Sequence, residues 1–140
     1  GAGGLGLGVI NTLLLVSCLW AVPEDRVVSS LVVVEVSAKL AMVLGSLSGR
    51  PAPDGVGAAL ILSLEGRRVT TMLVALITSL AIVFVALGMR GLLGVSSALL
   101  AAGVIVGLSH RSFQCVTGDV LGAMNELARS ISLLVLVALP

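Results

Sequence analysis

A Thr117-Gly118-Asp119 turn opens onto an apolar run that also carries a second carboxylate, Glu126, and a cation, Arg129. An ionisable side chain in hydrocarbon is costly and marks a functional site by default. Asp119 has two readings. Asp is a favoured helix N-cap, where it satisfies orphan N–H groups. Alternatively it is a Mg²⁺ ligand or the organiser of a phosphate site, since Mg²⁺ in phosphate chemistry is held by one or two carboxylates plus substrate oxygens. Glu126 lies seven residues further on, so both carboxylates project from one helical face. The rise between them is roughly 10 Å, too far to share one ion without distortion. Gly122 sits between them and leaves room for a ligand or another helix. Arg129 is three residues beyond Glu126, within ion-pair reach, and Asn125 borders the same stripe with an amide to offer.

Other groups compete for attention. Glu35 precedes Lys39 at i,i+4, the favourable order for a pair, so a structural pair competes there with a catalytic one. Ser37 lies between them without a His partner, which leaves a nucleophilic dyad unsupported. Gly1-Ala2-Gly3-Gly4-Leu5-Gly6 has the form of a dinucleotide fingerprint but lacks the preceding strand. Gly4 and Gly8 fit small-residue helix packing instead. Arg50, Arg67, Arg68 and Arg111 either fix topology or bind an anionic substrate. Cys18 and Cys115 have no metal-ligand spacing, and nothing supports a disulfide between them.

The elements that must position these groups are membrane helices. Of 140 residues, 58% are hydrophobic and 11% charged, against about 25% charged in a soluble domain. The mean hydropathy is +1.22. An all-α, polytopic integral membrane bundle follows, and a net charge of +1 gives no reason to invoke nucleic acid. About 20 apolar residues cross the hydrocarbon. Five stretches meet that length: Gly1 to Pro23, Val27 to Gly49, Val69 to Met89, Gly91 to Ser109 and Asp119 to Leu139. Arg90 marks a tight turn between the third and fourth. Pro51-Ala52-Pro53-Asp54-Gly55 reads as a turn, and Val56 to Leu64 as a short interfacial or re-entrant helix. The whole of 1–140 forms one transmembrane domain. Its first run has no basic n-region and is not a signal peptide, and the start at Gly1 is expected to be internal to a longer protein.

Five spans put the N-terminus, the Arg50–Arg68 connection and the His110–Gly118 connection on one side. That side holds Arg50, Arg67, Arg68 and Arg111; the other holds only Arg26 and Arg90. Positive charge favours the cytoplasm, so the Thr-Gly-Asp turn is expected to face it across the cell membrane.

Val116 to Ala123 together with Asn125-Glu126-Leu127, followed by the apolar tail Ile131 to Leu139, resembles the closing motif of the cobalamin 5′-phosphate synthase family, also called adenosylcobinamide-GDP ribazoletransferase. Gly1-Ala2-Gly3-Gly4 looks like the glycine pair that opens a mid-chain helix there, and Ala52-Pro53-Asp54-Gly55-Val56-Gly57 like a family loop. The resemblance covers this chain and only the C-terminal part of the family. The family's acidic D-G-x-A-D-x-x-D-G-like motif, expected to bind Mg²⁺, has no counterpart here. Lys39 and Arg50 stand offset from the family's basic residues.

The resemblance implies a transferase that joins α-ribazole or its 5′-phosphate to adenosylcobinamide-GDP and releases GMP. It implies Asp119 and Glu126 as catalytic residues, Asp119 as the Mg²⁺ ligand, and Thr117, Gly118, Gly122, Asn125, Lys39 and Arg50 around the substrate. Beyond the bilayer and these small molecules, the partners it implies are the N-terminal portion of the same enzyme or a second copy. A transporter or channel subunit, suggested by the intramembrane charges, and a non-catalytic membrane subunit are the competing classes.

Overall fold

The computed structural model describes residues 2–48, 59, 62–63, 66–112, 115 and 117–139. Among them the chain is helical throughout its regular elements: α1 (Ala2–Ala21), α2 (Val27–Ser48), α3 (Arg68–Ser112) and α4 (Gly118–Ala138). A 3₁₀ turn at Glu24–Arg26 links α1 to α2. Three segments are long and apolar enough to cross a membrane: Glu24–Leu47, Arg68–Arg111 and Gly118–Ala138. Gly8–Ala21 is a shorter apolar helix. Most of the interfacial helix expected over Val56 to Leu64 lies outside the described residues, as does the turn at Pro51 to Gly55.

The third and fourth expected spans are the two halves of α3. They are joined at Gly88, whose φ of 56° and ψ of −133° are non-helical. Only glycine adopts such a backbone without strain. The turn therefore falls at Gly88, and Arg90 lies past it in the second half, which corrects the expected position. The bend is a fold-back. In a straight helix residues 83 and 91 stand about 12 Å apart along the axis. Here a Cβ built on Gly91 would lie 2.7 Å from the carbonyl oxygen of Val83. Both halves then share one apolar cluster with α2, in which Val83 and Val95 meet Val33 and Leu40.

Long apolar side chains cover the outside, among them Ile77, Val85, Leu100 and Val104. Small residues fill the centre: Ala38, Ala41, Ala98, Ala102 and Ala128 surround Leu121 and Met124. Lipid is as apolar as leucine, so close backbone approach rather than water exclusion holds such a bundle together. Gly45 belongs to this logic, because a Cβ there would overlap the end of the Met124 side chain. Gly94 faces Ser132 and Leu136 more loosely, with 3.1 Å between a built Cβ and the Ser132 hydroxyl. The expected packing role of Gly8 is not met: nothing lies within 4 Å of a Cβ built there. Helices α2, α3 and α4 pack mutually, and α1 leans mainly on α4.

This packing has a direct test. Gly91→Ala should destabilise the protein by about 1–3 kcal/mol, because a backbone carbonyl cannot swing aside as a side chain would. Gly103→Ala, with nothing within 4 Å of its new carbon, should be neutral or slightly stabilising. Thermal unfolding of the two variants in one detergent distinguishes them.

Candidate functional site

The Thr-Gly-Asp turn is built by a helix start. Thr117 has an extended backbone (φ −96°, ψ 168°), and its side-chain oxygen accepts a hydrogen bond from the Val120 N–H at 3.3 Å. Thr117 is thus the N-cap, and the expectation that Asp119 fills that role is corrected. The threonine hydroxyl reaches the N3 amide, which leaves the aspartate one position inside the first turn. There Asp119 is exposed and makes no ion pair or hydrogen bond among the described residues. Its negative charge still suits the positive end of the helix dipole. Just upstream, Ser109 donates to the Cys115 carbonyl oxygen at 2.8 Å, tying the end of α3 to the connection that delivers Thr117. Cys115 and Cys18 are free thiols.

Deeper along α4 lies a polar network that crosses three helices. Arg129 is its hub. Its Nε and Nη2 face the two oxygens of Glu35 on α2, at 2.7 and 3.1 Å. Its Nη1 donates to Glu126 Oε1 at 2.9 Å. The Nε contact is an ion pair whose angle falls short of a hydrogen bond. Arg129 is the most enclosed of the charged members, with its side chain 24% exposed against 48% for Glu35 and 47% for Glu126. Asn125 donates to Glu126 Oε1 at 3.0 Å and accepts from Lys39 Nζ at 3.0 Å. Asn11 on α1 donates to Glu126 Oε2 at 3.3 Å, and its own carbonyl accepts from Ser130. Two carboxylates and two cations cancel formally, which is the condition for keeping charge in an apolar bundle.

The expected Glu126–Arg129 pair is therefore present. The expected Glu35–Lys39 pair is not: Glu35 takes Arg129 and Lys39 takes an amide. The reason is geometric. A planar guanidinium can match both oxygens of one carboxylate, whereas an ammonium is a point charge on a flexible stem. Lys39 uses only one of its three N–H donors on Asn125. It is exposed, so the other two remain for a ligand.

The structure brings Lys39, Asn125 and Glu126 together. It leaves Thr117, Gly118 and Asp119 about 10 Å further along the axis. Gly118 and Gly122 are exposed, and a Cβ built on either would meet nothing within 4 Å, so the face between the two clusters is open. Arg50 lies outside the described residues. Among the described residues no group of three His, Cys, Asp or Glu side chains could hold a metal ion. Asp119 offers a single free carboxylate, and Glu126 is already engaged by Arg129, Asn125 and Asn11. That set fits Mg²⁺ only in the mode in which substrate oxygens and water complete the octahedron. Asn11 was invisible to a reading based on formal charge. Its signal was an amide inside an otherwise greasy run.

Residues 1–137 match the cobalamin-5-phosphate synthase family. Curated relatives include the adenosylcobinamide-GDP ribazoletransferases of three archaea. The Methanococcoides burtonii protein is 35% identical over 76% of this chain and 38% of its own length. The Thermococcus kodakarensis protein is 32% identical over 97% of this chain and 56% of its own. The Methanosarcina barkeri protein is 27% identical over 99% of this chain and 55% of its own. The chain thus spans about half, or less, of the length of these relatives. No solved structure matches.

The network generates a prediction. Asn11→Leu removes the donor to Glu126 Oε2 and one of the two acceptors of the Ser130 hydroxyl, and should cost about 1–3 kcal/mol. Thr12→Val, one residue on, loses only a bond to its own helix, to Gly8 O at 2.9 Å, and should cost well under 1 kcal/mol. Thermal melts of both variants in detergent provide the comparison.

Proposed function

This chain belongs to the cobalamin-5-phosphate synthase family, and from that premise we propose that it is the C-terminal, substrate-facing part of a membrane transferase that joins α-ribazole or its 5′-phosphate to adenosylcobinamide-GDP. The family match over residues 1–137 carries this reading, and the names of the curated relatives supply its substrates. A ribose hydroxyl attacks the phosphorus on the cobinamide side of the diphosphate. A new P–O bond forms, the P–O bond to GMP breaks, GMP leaves with the bridging oxygen, and the hydroxyl proton passes to water. Such a reaction makes little covalent demand on the protein and consists of positioning plus charge stabilisation.

The residues divide that work. Thr117 and Gly118 shape the turn so that the first amides of α4 face the open side, where a helix start favours a phosphate oxygen. Asp119, exposed and unpaired among the described residues, is the carboxylate that would hold Mg²⁺ against the diphosphate. The ion would supply charge neutralisation there. Lys39 turns its two spare donors toward the anion, and Asn125 holds its ammonium in place. Glu126 acts by positioning, because its oxygens are occupied: it anchors Arg129 and the Asn125 amide. Gly122 keeps the intervening face clear, and Arg50 is a further candidate for binding the anion. The substrates, the bilayer and the rest of the same enzyme or a second copy are its partners.

The membrane arrangement follows the same line. The fold-back of α3 at Gly88 supports a reading of five crossings. The Thr117 turn then shares a side with Arg67, Arg68 and Arg111, opposite Arg26 and Arg90. The arginine excess puts that side in the cytoplasm of a cell-membrane protein.

The test uses the complete protein that carries this segment. GMP release from adenosylcobinamide-GDP with α-ribazole and Mg²⁺ should fall about 10²–10³-fold for Asp119→Asn, the scale of losing one charge-stabilising group. Lys39→Met should raise the KM for adenosylcobinamide-GDP more than it lowers kcat. Full activity in Asp119→Asn would contradict the assignment. A membrane-impermeant thiol reagent should reach a cysteine placed at Arg67 from the cytoplasmic face, and one placed at Asp25 from the opposite face.

A further inference from the structure

The far end of the bundle from Thr117 holds a cavity of about 180 Å³. It forms where α1 ends, α2 begins, α3 folds back and α4 stops. Its polar lining is Arg26, Ser30 and Arg90, set among apolar side chains that include Val22, Leu87 and Leu136. Asp119 and Val137 are 18 residues apart on α4, or about 27 Å along the axis. The cavity is therefore separate from the site already described.

Three observations give it a chemistry. Arg90 makes no ion pair or hydrogen bond among the described residues. Arg26 has only Asp25, at 3.7 Å with both side chains well exposed, and such contacts contribute little. Ser30 is 3% exposed and lines the cavity, yet its hydroxyl makes no hydrogen bond among the described residues. Its oxygen is not sealed off from solvent, so a ligand or water in the cavity can reach it. The ends of α1 and α4 contribute roughly half a negative charge each, which two guanidiniums exceed. Glu24 and Asp25 sit on the adjoining turn but do not line the cavity. Its volume is well below the roughly 300–1,000 Å³ of pockets that enclose drug-sized ligands, so it suits a headgroup rather than a nucleotide.

We propose that this cavity is a second anion site, binding a phosphate group through Arg26, Arg90 and the Ser30 hydroxyl. The phosphodiester of an anionic membrane lipid and free phosphate share that chemistry. Trp20, next in sequence to the lining residue Ala21, is 89% exposed, as an interfacial aromatic would be. The lipid source rests on the five-crossing reading. The site does not rest on the transferase reading, and loss of GMP release would leave it standing.

The experiment purifies the complete protein in detergent and adds phosphatidylglycerol, phosphatidylcholine or inorganic phosphate. Thermal unfolding and native mass spectrometry are the readouts. Phosphatidylglycerol should stay bound and raise the melting temperature by several degrees, while phosphatidylcholine should not. In the double variant Arg26→Gln/Arg90→Gln its retention should drop at least tenfold. Stabilisation by millimolar inorganic phosphate with no lipid preference would assign the site to a soluble phosphate. Equal retention of both lipids with no effect of phosphate would overturn the proposal, as would unchanged phosphatidylglycerol binding by a folded double variant. Should that variant lose its helical circular dichroism, Arg26→Lys/Arg90→Lys and the wild-type lipid series decide: preference for phosphatidylglycerol supports the site, and its absence sinks it.

Discussion

Arg129 placed between Glu35 and Glu126 is the constraint on which the rest of the bundle depends. Each carboxylate alone would be a severe cost among Leu, Val and Ala side chains. One guanidinium serves both, and in doing so locks α2 against α4. The network then extends through Asn125 to Lys39 and through Asn11 to α1. Three helices are thereby fixed in rotation and depth by polar contacts, in a core whose small alanines would tolerate sliding. Directional contacts of this kind are the means by which an apolar bundle acquires one register.

That register is what places the Thr117 turn. Helix α4 begins under a threonine cap and a strap from Ser109, so its start is set locally. Its depth is set about two turns further in, by Glu126 and Arg129. Asp119 is therefore carried at a fixed height above Lys39, with the bare face of Gly122 between them. An unpaired carboxylate and the structural ion pairs are thus segregated along one helix. The exposed first turn carries the unpaired carboxylate, and the enclosed middle carries the compensated charges.

Much of this was legible in the sequence because it is local. Composition alone defines a helical membrane chain, and spacing alone pairs Glu126 with Arg129. The break between the two halves of α3 was legible within two residues, since a glycine and an arginine interrupt an apolar run there. What could not be read was non-local. Glu35 meets Arg129 across 94 positions, and no periodicity announces that contact. The i,i+4 spacing of Glu35 and Lys39 favoured a pair that the better-matched guanidinium displaced. Asn11 and Gly45 depend on which helix lies opposite, and a single sequence does not specify that. The N-cap reading of Asp119 could not be settled from sequence because both Thr and Asp are good caps, and only backbone dihedrals distinguish them.

The direct measurement is a double-mutant cycle on Glu35→Gln and Arg129→Gln, read by unfolding of the complete protein in detergent. The two residues touch, so their effects should be strongly non-additive, with a coupling of about 1–3 kcal/mol. Additive losses, within about 0.5 kcal/mol, would mean that α2 and α4 are not held by this contact and would contradict the account.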